Sequence, residues 1–469
     1  MNSGNYEIGM IGLGTMGRNL ALNIADKGFP VAGYDTDQKQ VDALIREAEG
    51  RPVAGAATVG ELVRLLRAPI AIIMLVPAGP PVDAVIDALL PLLQPGALLI
   101  DGGNSHFRET DARIHRLEER HILYMGVGIS GGERGARFGP SIMPGGPVGA
   151  YARVRPIFEA AAAKVDGEPC VAYLGPGSAG DYVKMVHNGI EYAMMQLIAE
   201  SYDLMKRGLS LPNERLSEIY DRWNSSVLPG FLIGITARIF AKKDEDTGGF
   251  LVDMIADEAQ QKGTGKWTAQ DAMDLRVPVP AIGSAVHMRD LSDLRKERQE
   301  AAIALSGPDG RLSQDGAQFV DRLARAMRAS MVIVYSQGMA QLAEASRLYG
   351  YGLKLEEVAR IWRGGCIIRS ALLEPIRRAF HNRADLPNLL LDPALREMVM
   401  SDQADLRAVV GAATTSGIPV PALAACLAYF DAYRSGWLPA NLVQAQRDYF
   451  GAHHYRRLDR EGLFHTEWE

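Results

Sequence analysis

Five polar side chains recur at i, i+3, i+4, i+7 and i+8 in one stretch of the chain: Lys184, His187, Asn188, Glu191 and Tyr192. On an α-helix this spacing puts all five on one face. Val183, Met185, Val186, Ile190, Met194 and Leu197 surround them, so the rest of the helix reads as buried. A polar stripe within an apolar helix is costly unless its members are paired. It is either an internal salt-bridge network or the wall of an active site. In a desolvated site the pKa of Lys184 falls toward that of a general base, and that of Glu191 rises toward that of a general acid.

Other groups favour the site reading. Asp101-Gly-Gly-Asn104-Ser105 follows an apolar run that reads as a strand, at the end where doubly wound sheets bind ligands. Gly128-Ile-Ser130-Gly131-Gly132-Glu133 also follows a strand-like run, and Ser130 with the next two backbone N–H groups can form a nest for a carboxylate. Gln261-Lys262-Gly263-Thr264-Gly265-Lys266-Trp267 reads as a compact cationic loop suited to phosphate, without the spacing of a P-loop. Arg289, Arg447 and His453 complete the basic inventory. Taken singly, each of these motifs could be an ordinary turn and each cation a surface residue.

Near the N-terminus, Gly12-Leu13-Gly14-Thr15-Met16-Gly17 is a G-x-G-x-x-G turn between a strand pattern and a helix pattern. Its first glycine permits a tight turn, its second lets backbone approach a pyrophosphate, and its third lets helix pack on sheet. Asp35 ends the second strand pattern, where a carboxylate can accept both adenosine ribose hydroxyls; the alternative is that it caps the following helix. The sequence there is Tyr34-Asp35-Thr36-Asp37-Gln38, with no cation before Lys39. Two carboxylates beside a 2′-phosphate would repel it by on the order of 1–4 kcal/mol, which favours NAD over NADP.

The elements that must position these groups follow from periodicity. Glu7 to Gly12, Val31 to Asp35, Ile70 to Val76, Ala97 to Asp101 and Leu123 to Val127 read as buried strands, with helical stretches between them at 16–27, 38–48 and 111–120. This alternation predicts an α/β, Rossmann-type, doubly wound parallel sheet. After the breaker run 173–180 nearly every pattern is helical, so the expected division is 1–178 for dinucleotide, 179–436 as an all-helical substrate and dimerisation domain, and 437–469 as a tail. Met195, Ala199, Glu200, Leu204, Gly208, Leu209 and Leu211 recur as Met339, Ala343, Glu344, Leu348, Gly352, Leu353 and Leu355, which points to a duplicated bundle.

Composition removes several classes. With 469 residues, 47% of them hydrophobic, the chain can bury a large core. A net charge of -6 gives no global field for nucleic acid or acidic membrane, and no run is apolar for long enough to span a bilayer. Cys170, Cys366 and Cys426 are far apart, so neither a disulfide framework nor a metal site is expected. No signal peptide is visible, and the expected location is the cytoplasm.

The motifs together resemble the 6-phosphogluconate dehydrogenase family. The resemblance rests on DGGNS at 101–105, GISGGERGARFGPSIMPGG at 128–146, YVKMVHNGIEY at 182–192, QKGTGKWTA at 261–269, IWRGGCIIRS at 361–370 and QAQRDYFGAHHY at 444–455. It implies oxidation of 6-phospho-D-gluconate at C3, with Lys184 as base, loss of CO2, and protonation of C1 by Glu191 to give ribulose 5-phosphate, without a metal. Asn104, Ser130, Gly131, Gly132, His187 and Asn188 would hold the carboxylate and hydroxyls; Tyr192, Lys262, Thr264 and Arg289 would lie at the phosphate end. Arg447 and His453 would complete the site of a partner subunit in a homodimer with exchanged tails. The dinucleotide would lie on Gly12, Leu13, Gly14, Thr15, Met16 and Gly17, on Asp35, Thr36 and Asp37, on Val76, Pro77 and Ala78, and on Asn104.

Three departures from the family pattern fall at the cofactor. Gly14 replaces an alanine, Asp35-Thr36-Asp37 stands where NADP-using members read Asn-Arg-Ser/Thr, and Pro77 replaces a lysine. Two of them remove positive charge, so NAD is expected as the preferred cofactor, with NADP as the alternative. Arg134 stands where a second glutamate is common, and His454 where a threonine is common. Two rival readings are another β-hydroxyacid dehydrogenase and a non-catalytic nucleotide-binding regulator. The first leaves Lys262, Arg289 and Arg447 unexplained, and the second leaves Lys184 and Glu191 without a use.

Overall fold

The computed structural model describes residues 4–313 and 315–469. The first part alternates β1 (Ile8–Ile11), α1 (Thr15–Asp26), β2 (Val31–Tyr34), α2 (Gln38–Ala48), β3 (Val53–Ala56), α3 (Val59–Leu65), β4 (Ala71–Met74), α4 (Pro80–Leu89), β5 (Leu98–Asp101), α5 (Phe107–Glu118), β6 (Leu123–Ser130), α6 (Gly132–Phe138), β7 (Ser141–Pro144) and α7 (Val148–Ala161). The sheet order is β3-β2-β1-β4-β5-β6-β7, so the strand order reverses between β1 and β4, beside the glycine turn. Strands β1, β4 and β5 are wholly buried, as their continuous Ile, Leu and Met runs require of strands covered on both faces.

Two expectations are corrected here. The sheet is not wholly parallel: β7 runs antiparallel to β6, because the seven-residue α6 is too short to carry the chain back over the sheet face for a parallel return. Strand β6 also extends to Ser130, so Ser130 is its last residue and not part of the loop beyond it. Strand β3, only partly buried at the sheet edge, carries the short sequence Val-Ala-Gly-Ala and gave no pattern to find.

The helical part comprises α8 (Ala179–Asp203), α9 (Asn213–Asn224), α10 (Phe231–Ala241), α11 (Thr264–Asp274), α12 (Pro280–Asp293), α13 (Arg295–Ala304), α14 (Gly316–Tyr349), α15 (Leu355–Trp362), α16 (Leu373–Asn382), α17 (Pro393–Thr415), α18 (Pro421–Tyr433) and α19 (Ala440–Gly451). Helices α8 and α14 are apolar around most of their circumference and form its centre. A further match lies downstream, at an offset three residues shorter: Val-Pro-Ala opens both α12 (279–281) and α18 (420–422). Each long helix caps one of these two helices. Gln337 Oε1 of α14 accepts the Ala281 N–H at 3.1 Å, and Glu200 of α8 accepts those of Ala422 and Leu423 at 2.8 and 2.9 Å.

Helix α8 docks against β6 through glycines. A Cβ on Gly128 would lie 2.3 Å from the Lys184 Cβ, and one on Gly126 would lie 2.2 Å from Asp181 Oδ2. Larger residues there would push the lysine-bearing helix off the sheet. Thr110 Oγ1 donates to Asp181 Oδ2 at 2.6 Å and fixes the first turn of α8. Among the described residues no helix is long and apolar enough to cross a membrane.

Candidate active site

At the dinucleotide end, Gly12 has φ +88°, and a Cβ there would lie 2.4 Å from the Leu75 carbonyl oxygen. A Cβ on Gly17 would lie 1.8 Å from the Gly12 carbonyl oxygen, so α1 can start only with glycine at that position. Gly14 differs: nothing lies within 4 Å of its ideal Cβ. The protein needs Gly12 and Gly17 for its own packing, whereas the space at Gly14 is free for a pyrophosphate to approach backbone.

Asp35 is fixed at the end of β2. Its Oδ2 accepts the Leu13 N–H at 2.6 Å and its Oδ1 accepts the Asp37 N–H at 2.9 Å. The cap of α2 is Asp37, whose carboxylate accepts the Lys39 N–H at 3.0 Å, so Asp35 is not spent as a helix cap. The structure also brings in a cation that sequence spacing did not place here. Arg18 of α1 reaches Glu47 at 3.0 Å and Gln40 at 2.8 Å, so the Glu47 carboxylate neutralises it. Val76, Pro77 and Ala78 follow β4 on the same sheet edge, with Pro77 adding no charge.

At the end of β5, buried Asp101 organises the next turn. It accepts the Gly103 N–H at 3.0 Å, the Ser105 hydroxyl at 2.6 Å and the Tyr124 hydroxyl at 2.9 Å. Asn104 is left exposed at the crest of that turn. Gly103 and Ser105 lie within the same short motif, whereas Tyr124 is joined to Asp101 only by the fold.

The row on α8 forms one network. Asn188 Oδ1 accepts from Lys184 Nζ at 2.7 Å and from His187 Nδ1 at 3.0 Å, while Asn188 Nδ2 donates to Thr264 Oγ1 at 3.2 Å. His187 Nε2 faces the Ser130 hydroxyl at 3.3 Å. With the Nδ1 proton given to Asn188, Nε2 is the acceptor. Burial, then the neighbouring Lys184, holds the His187 pKa well below its ordinary value, so the ring is neutral. The approach of Glu191 to His187 at 3.8 Å is therefore not an ion pair.

Burial lowers the pKa of Lys184, with Glu191 opposing the shift, and burial raises that of Glu191 against the pull of Lys184 and Arg289. Both shifts run toward the roles of base and acid. Lys184 has no carboxylate within bonding distance among the described residues, only the amide of Asn188.

One turn further along α8, the Arg289 guanidinium lies 3.4 Å from the centre of the Tyr192 ring, and its Nη1 donates to the Gln260 carbonyl at 3.2 Å. Lys262 is exposed in the same loop, two residues beyond Gln260. The stretch from Gln261 is corrected in one respect. It is a loop only to Gly263, and α11 begins at Thr264, whose buried hydroxyl accepts from Asn188 Nδ2. Gly265 permits this packing, since a Cβ there would lie 2.3 Å from the Tyr192 ring.

Arg447 and His453 do not join this cluster within the same chain. They lie on α19 and the turn after it, both exposed, in a tail whose hydrogen bonds all stay within the tail among the described residues. Asp448 is its hub. It accepts the His454 N–H at 2.9 Å, His465 Nδ1 at 3.0 Å, the Thr466 N–H at 3.1 Å and Trp468 Nε1 at 3.0 Å.

A doubly wound domain with an open pyrophosphate turn, with a buried lysine and a half-buried glutamate on the helical domain, defines a nicotinamide-dinucleotide oxidoreductase. The comparisons with known proteins make this specific. Residues 7–175 match the model for the NAD binding domain of 6-phosphogluconate dehydrogenase, and 180–468 match that for its C-terminal domain. A Bacillus subtilis relative, named 6-phosphogluconate dehydrogenase, NADP(+)-dependent, decarboxylating, is 49% identical over 98% of this chain and 99% of its own. An Escherichia coli relative, named 6-phosphogluconate dehydrogenase, decarboxylating, is 48% identical with the same coverage. A solved structure of Plasmodium falciparum 6-phosphogluconate dehydrogenase, described apo, with NADP+ and with 6-phosphogluconate, superposes with a TM-score of 0.95 at 44% identity, covering 98% of this chain and all of that one. The chain belongs to the 6-phosphogluconate dehydrogenase family.

Proposed function

We propose that this chain oxidises and decarboxylates 6-phospho-D-gluconate to D-ribulose 5-phosphate, with NAD preferred over NADP. The observation that carries the reaction is the buried Lys184–Asn188–His187–Ser130 network with Glu191 one turn away. Family membership supports the same reaction through the names of the relatives.

The dinucleotide would lie on Gly12, Leu13, Gly14, Thr15, Met16, Gly17, Asp35, Thr36, Asp37, Val76, Pro77, Ala78 and Asn104; when bound it supplies the acceptor for the C3 hydride. Lys184, with its lowered pKa, takes the C3 hydroxyl proton. As an ammonium it then polarises the new ketone, which accepts the electron pair released as the C1–C2 bond breaks and CO2 leaves. Glu191, whose pKa burial raises toward that of an acid, delivers a proton to the former C2, which becomes C1 of ribulose 5-phosphate. Asn104, Ser130, Gly131, Gly132, His187 and Asn188 hold the carboxylate and hydroxyls. Tyr192, Lys262 and Arg289 hold the phosphate, with Thr264 acting through Asn188.

The cofactor preference rests on charge. Asp35 and Asp37 put two carboxylates at the end of β2, and Pro77 withholds a cation at the end of β4. The NADP(+) in the name of the Bacillus subtilis relative belongs to that protein.

The division at 178 and 436, a homodimer and a cytoplasmic location complete the proposal. A cavity of about 410 Å³ beside Tyr192 and Arg289, lined also by Met195, Met288 and Leu291, supports docking of a partner's tail, with its Arg447 and His453. The exposed Trp437, Leu442, Val443 and Phe450 would be covered by that exchange. The test is absorbance at 340 nm with 6-phosphogluconate and NAD or NADP in parallel. Faster turnover with NAD is expected. Faster turnover with NADP overturns the cofactor reading, and no turnover with either overturns the reaction.

A further inference from the structure

We propose that the cavity between α10 and the segment 363–370 binds a small polyanion, a phosphate ester or a polycarboxylate, at a site separate from the phosphate end at Lys262 and Arg289. The cavity holds about 590 Å³ and is walled by Asn224, Phe231, Arg238, Arg363, Arg369 and Ser370. It shares no lining residue with the α8 network.

The charges around it are unequal. Arg363 is satisfied, bonded to Glu168 at 2.6 Å, Glu374 at 2.7 Å and Asp166 at 3.5 Å. This uses the two acids that also line the cavity, Asp166 and Glu374. Among the described residues, Arg238 and Arg369 have no carboxylate partner. Arg369 is half-buried, its guanidinium stacked 3.8 Å from the centre of the Phe231 ring, with one N–H given to the Cys366 carbonyl. A guanidinium held in this way keeps its other donors free and is weakly hydrated, a state that favours a bidentate anion.

A neutral donor faces the same space. Asn224 Oδ1 accepts the Gly230 N–H at 2.9 Å, which turns the Asn224 NH2 toward Gly234 on the cavity wall; a Cβ on Gly234 would lie 3.2 Å from that nitrogen. Ser370 is spent elsewhere: the Tyr335 hydroxyl donates to the Ile368 carbonyl, so Ser370 Oγ donates to Tyr335 at 3.1 Å.

Arg134 gains an account here. It is exposed on α6 and unpaired among the described residues. Burial lowers the pKa of Arg369, and the like charges of Arg134 and Arg238 lower it further, against the buried Cys366 thiol. Arg134 thus adds a third cation near this cavity, in a protein whose net charge is -6. A bound polyanion relieves that repulsion.

The cavity is linked to the chemistry by the segment that forms its wall. A Cβ on Gly131 would lie 2.5 Å from the Gly365 carbonyl oxygen, Cys366 Sγ donates to the Trp362 carbonyl at 3.0 Å, and the Trp362 ring lies edge-on to His187 at 5.5 Å. The segment that carries Arg369 therefore packs against both Gly131 and His187.

Isothermal titration calorimetry with inorganic pyrophosphate, and separately with citrate, tests the proposal on the full chain in low-salt buffer with 6-phosphogluconate present and no dinucleotide. One anion per chain is expected, weakened at least about ten-fold in Arg238→Ala and in Arg134→Glu, and unchanged in Arg289→Ala. The tighter of the two probes identifies phosphate or carboxylate as the preferred chemistry. Arg134→Glu, at an exposed position, is expected to keep its turnover without added anion within about two-fold. Absence of binding of both anions overturns the site. So does binding lost in Arg289→Ala but kept in Arg134→Glu and Arg238→Ala, which would assign the anion to the phosphate end.

Discussion

The cofactor preference can be reversed by two substitutions, and the expected size follows from the end of β2. Asp35 Oδ2 holds the Leu13 N–H at 2.6 Å and Oδ1 holds the Asp37 N–H at 2.9 Å, so the carboxylate is fixed beside the turn that approaches the pyrophosphate. Asp35→Asn removes one negative charge and keeps one acceptor oxygen for these two amides. Thr36→Arg adds a guanidinium at the exposed edge of β2. At a protein-surface dielectric, each unit change near a 2′-phosphate is worth ~1–2 kcal/mol, so the pair should total ~2–4 kcal/mol. That is a ~30- to ~700-fold change in the ratio of kcat/KM for NADP to kcat/KM for NAD. The assay is initial rate at 340 nm with both dinucleotides for wild type, each single variant and the double variant. The shift should shrink when salt is raised from ~20 to ~200 mM, because the groups are exposed and the Debye length falls well below 20 Å. A ratio that moves less than about three-fold, or a shift insensitive to salt, refutes the charge argument even if wild type prefers NAD.

Four further outcomes are expected. Lys184→Ala should lower kcat by ~10²–10⁴ while dinucleotide binding, read by fluorescence titration, stays intact; in wild type the limb where kcat/KM rises with pH should lie below the ordinary lysine range, because burial lowers that pKa. Gly14→Ala should leave the melting temperature unchanged or slightly raised, since nothing lies within 4 Å of its Cβ, whereas Gly17→Ala should destabilise strongly because its Cβ would lie 1.8 Å from the Gly12 carbonyl oxygen. Asp448→Ala should raise KM for 6-phosphogluconate without changing KM for NAD, by loosening the tail that carries Arg447 and His453, and Asp448→Asn should restore part of the loss; equal KM values in all three forms would exclude the role. Burial raises the Glu200 pKa to about 7, so the folded state holds a proton that the unfolded state releases near 4.5; stability should fall by up to ~3 kcal/mol as pH rises through that window, and denaturant titrations of Glu200→Gln should lack the slope.

Legibility in the sequence followed the range of the interaction. The row from Lys184 to Tyr192 was readable because all of its members sit within three turns of one helix, and the glycine turn and Asp35 because strand, turn and strand follow each other directly. What escaped depended on contacts across the fold. Arg18 reaches Glu47 only because α1 and α2 pack side by side. Thr264 looked like part of a phosphate loop, yet its hydroxyl lies against Asn188, a residue 76 positions away. Close approaches such as Gly128 to Lys184, Gly189 to Thr268 and Gly265 to Tyr192 occur at glycines whose necessity no local pattern could state. The direction of β7 was hidden because a seven-residue helix leaves no periodic signature distinguishing a return from a crossover.

The duplicated bundle supplies an internal control for the chemistry. At the constant offset of the repeat, the position of Lys184 on α8 is taken by Arg328 on α14. Arg328 is neutralised: its Nε and Nη2 bond both oxygens of buried Asp402, at 2.6 and 2.8 Å. The positions of His187 and Asn188 are taken by Met331 and Val332, which pack in the core. One copy of the helix thus carries a cation closed into a bidentate salt bridge, with hydrogen-bonded Tyr335 and Ser336 at the positions of Glu191 and Tyr192. The other copy keeps a desolvated lysine bonded to a neutral amide, with His187 and a glutamate whose pKa burial raises along the same face. Burying Lys184 without a carboxylate counter-charge lowers stability, and the related position shows that the fold can supply one. Burial without that counter-charge lowers the Lys184 pKa, the direction that the proposed role of base requires.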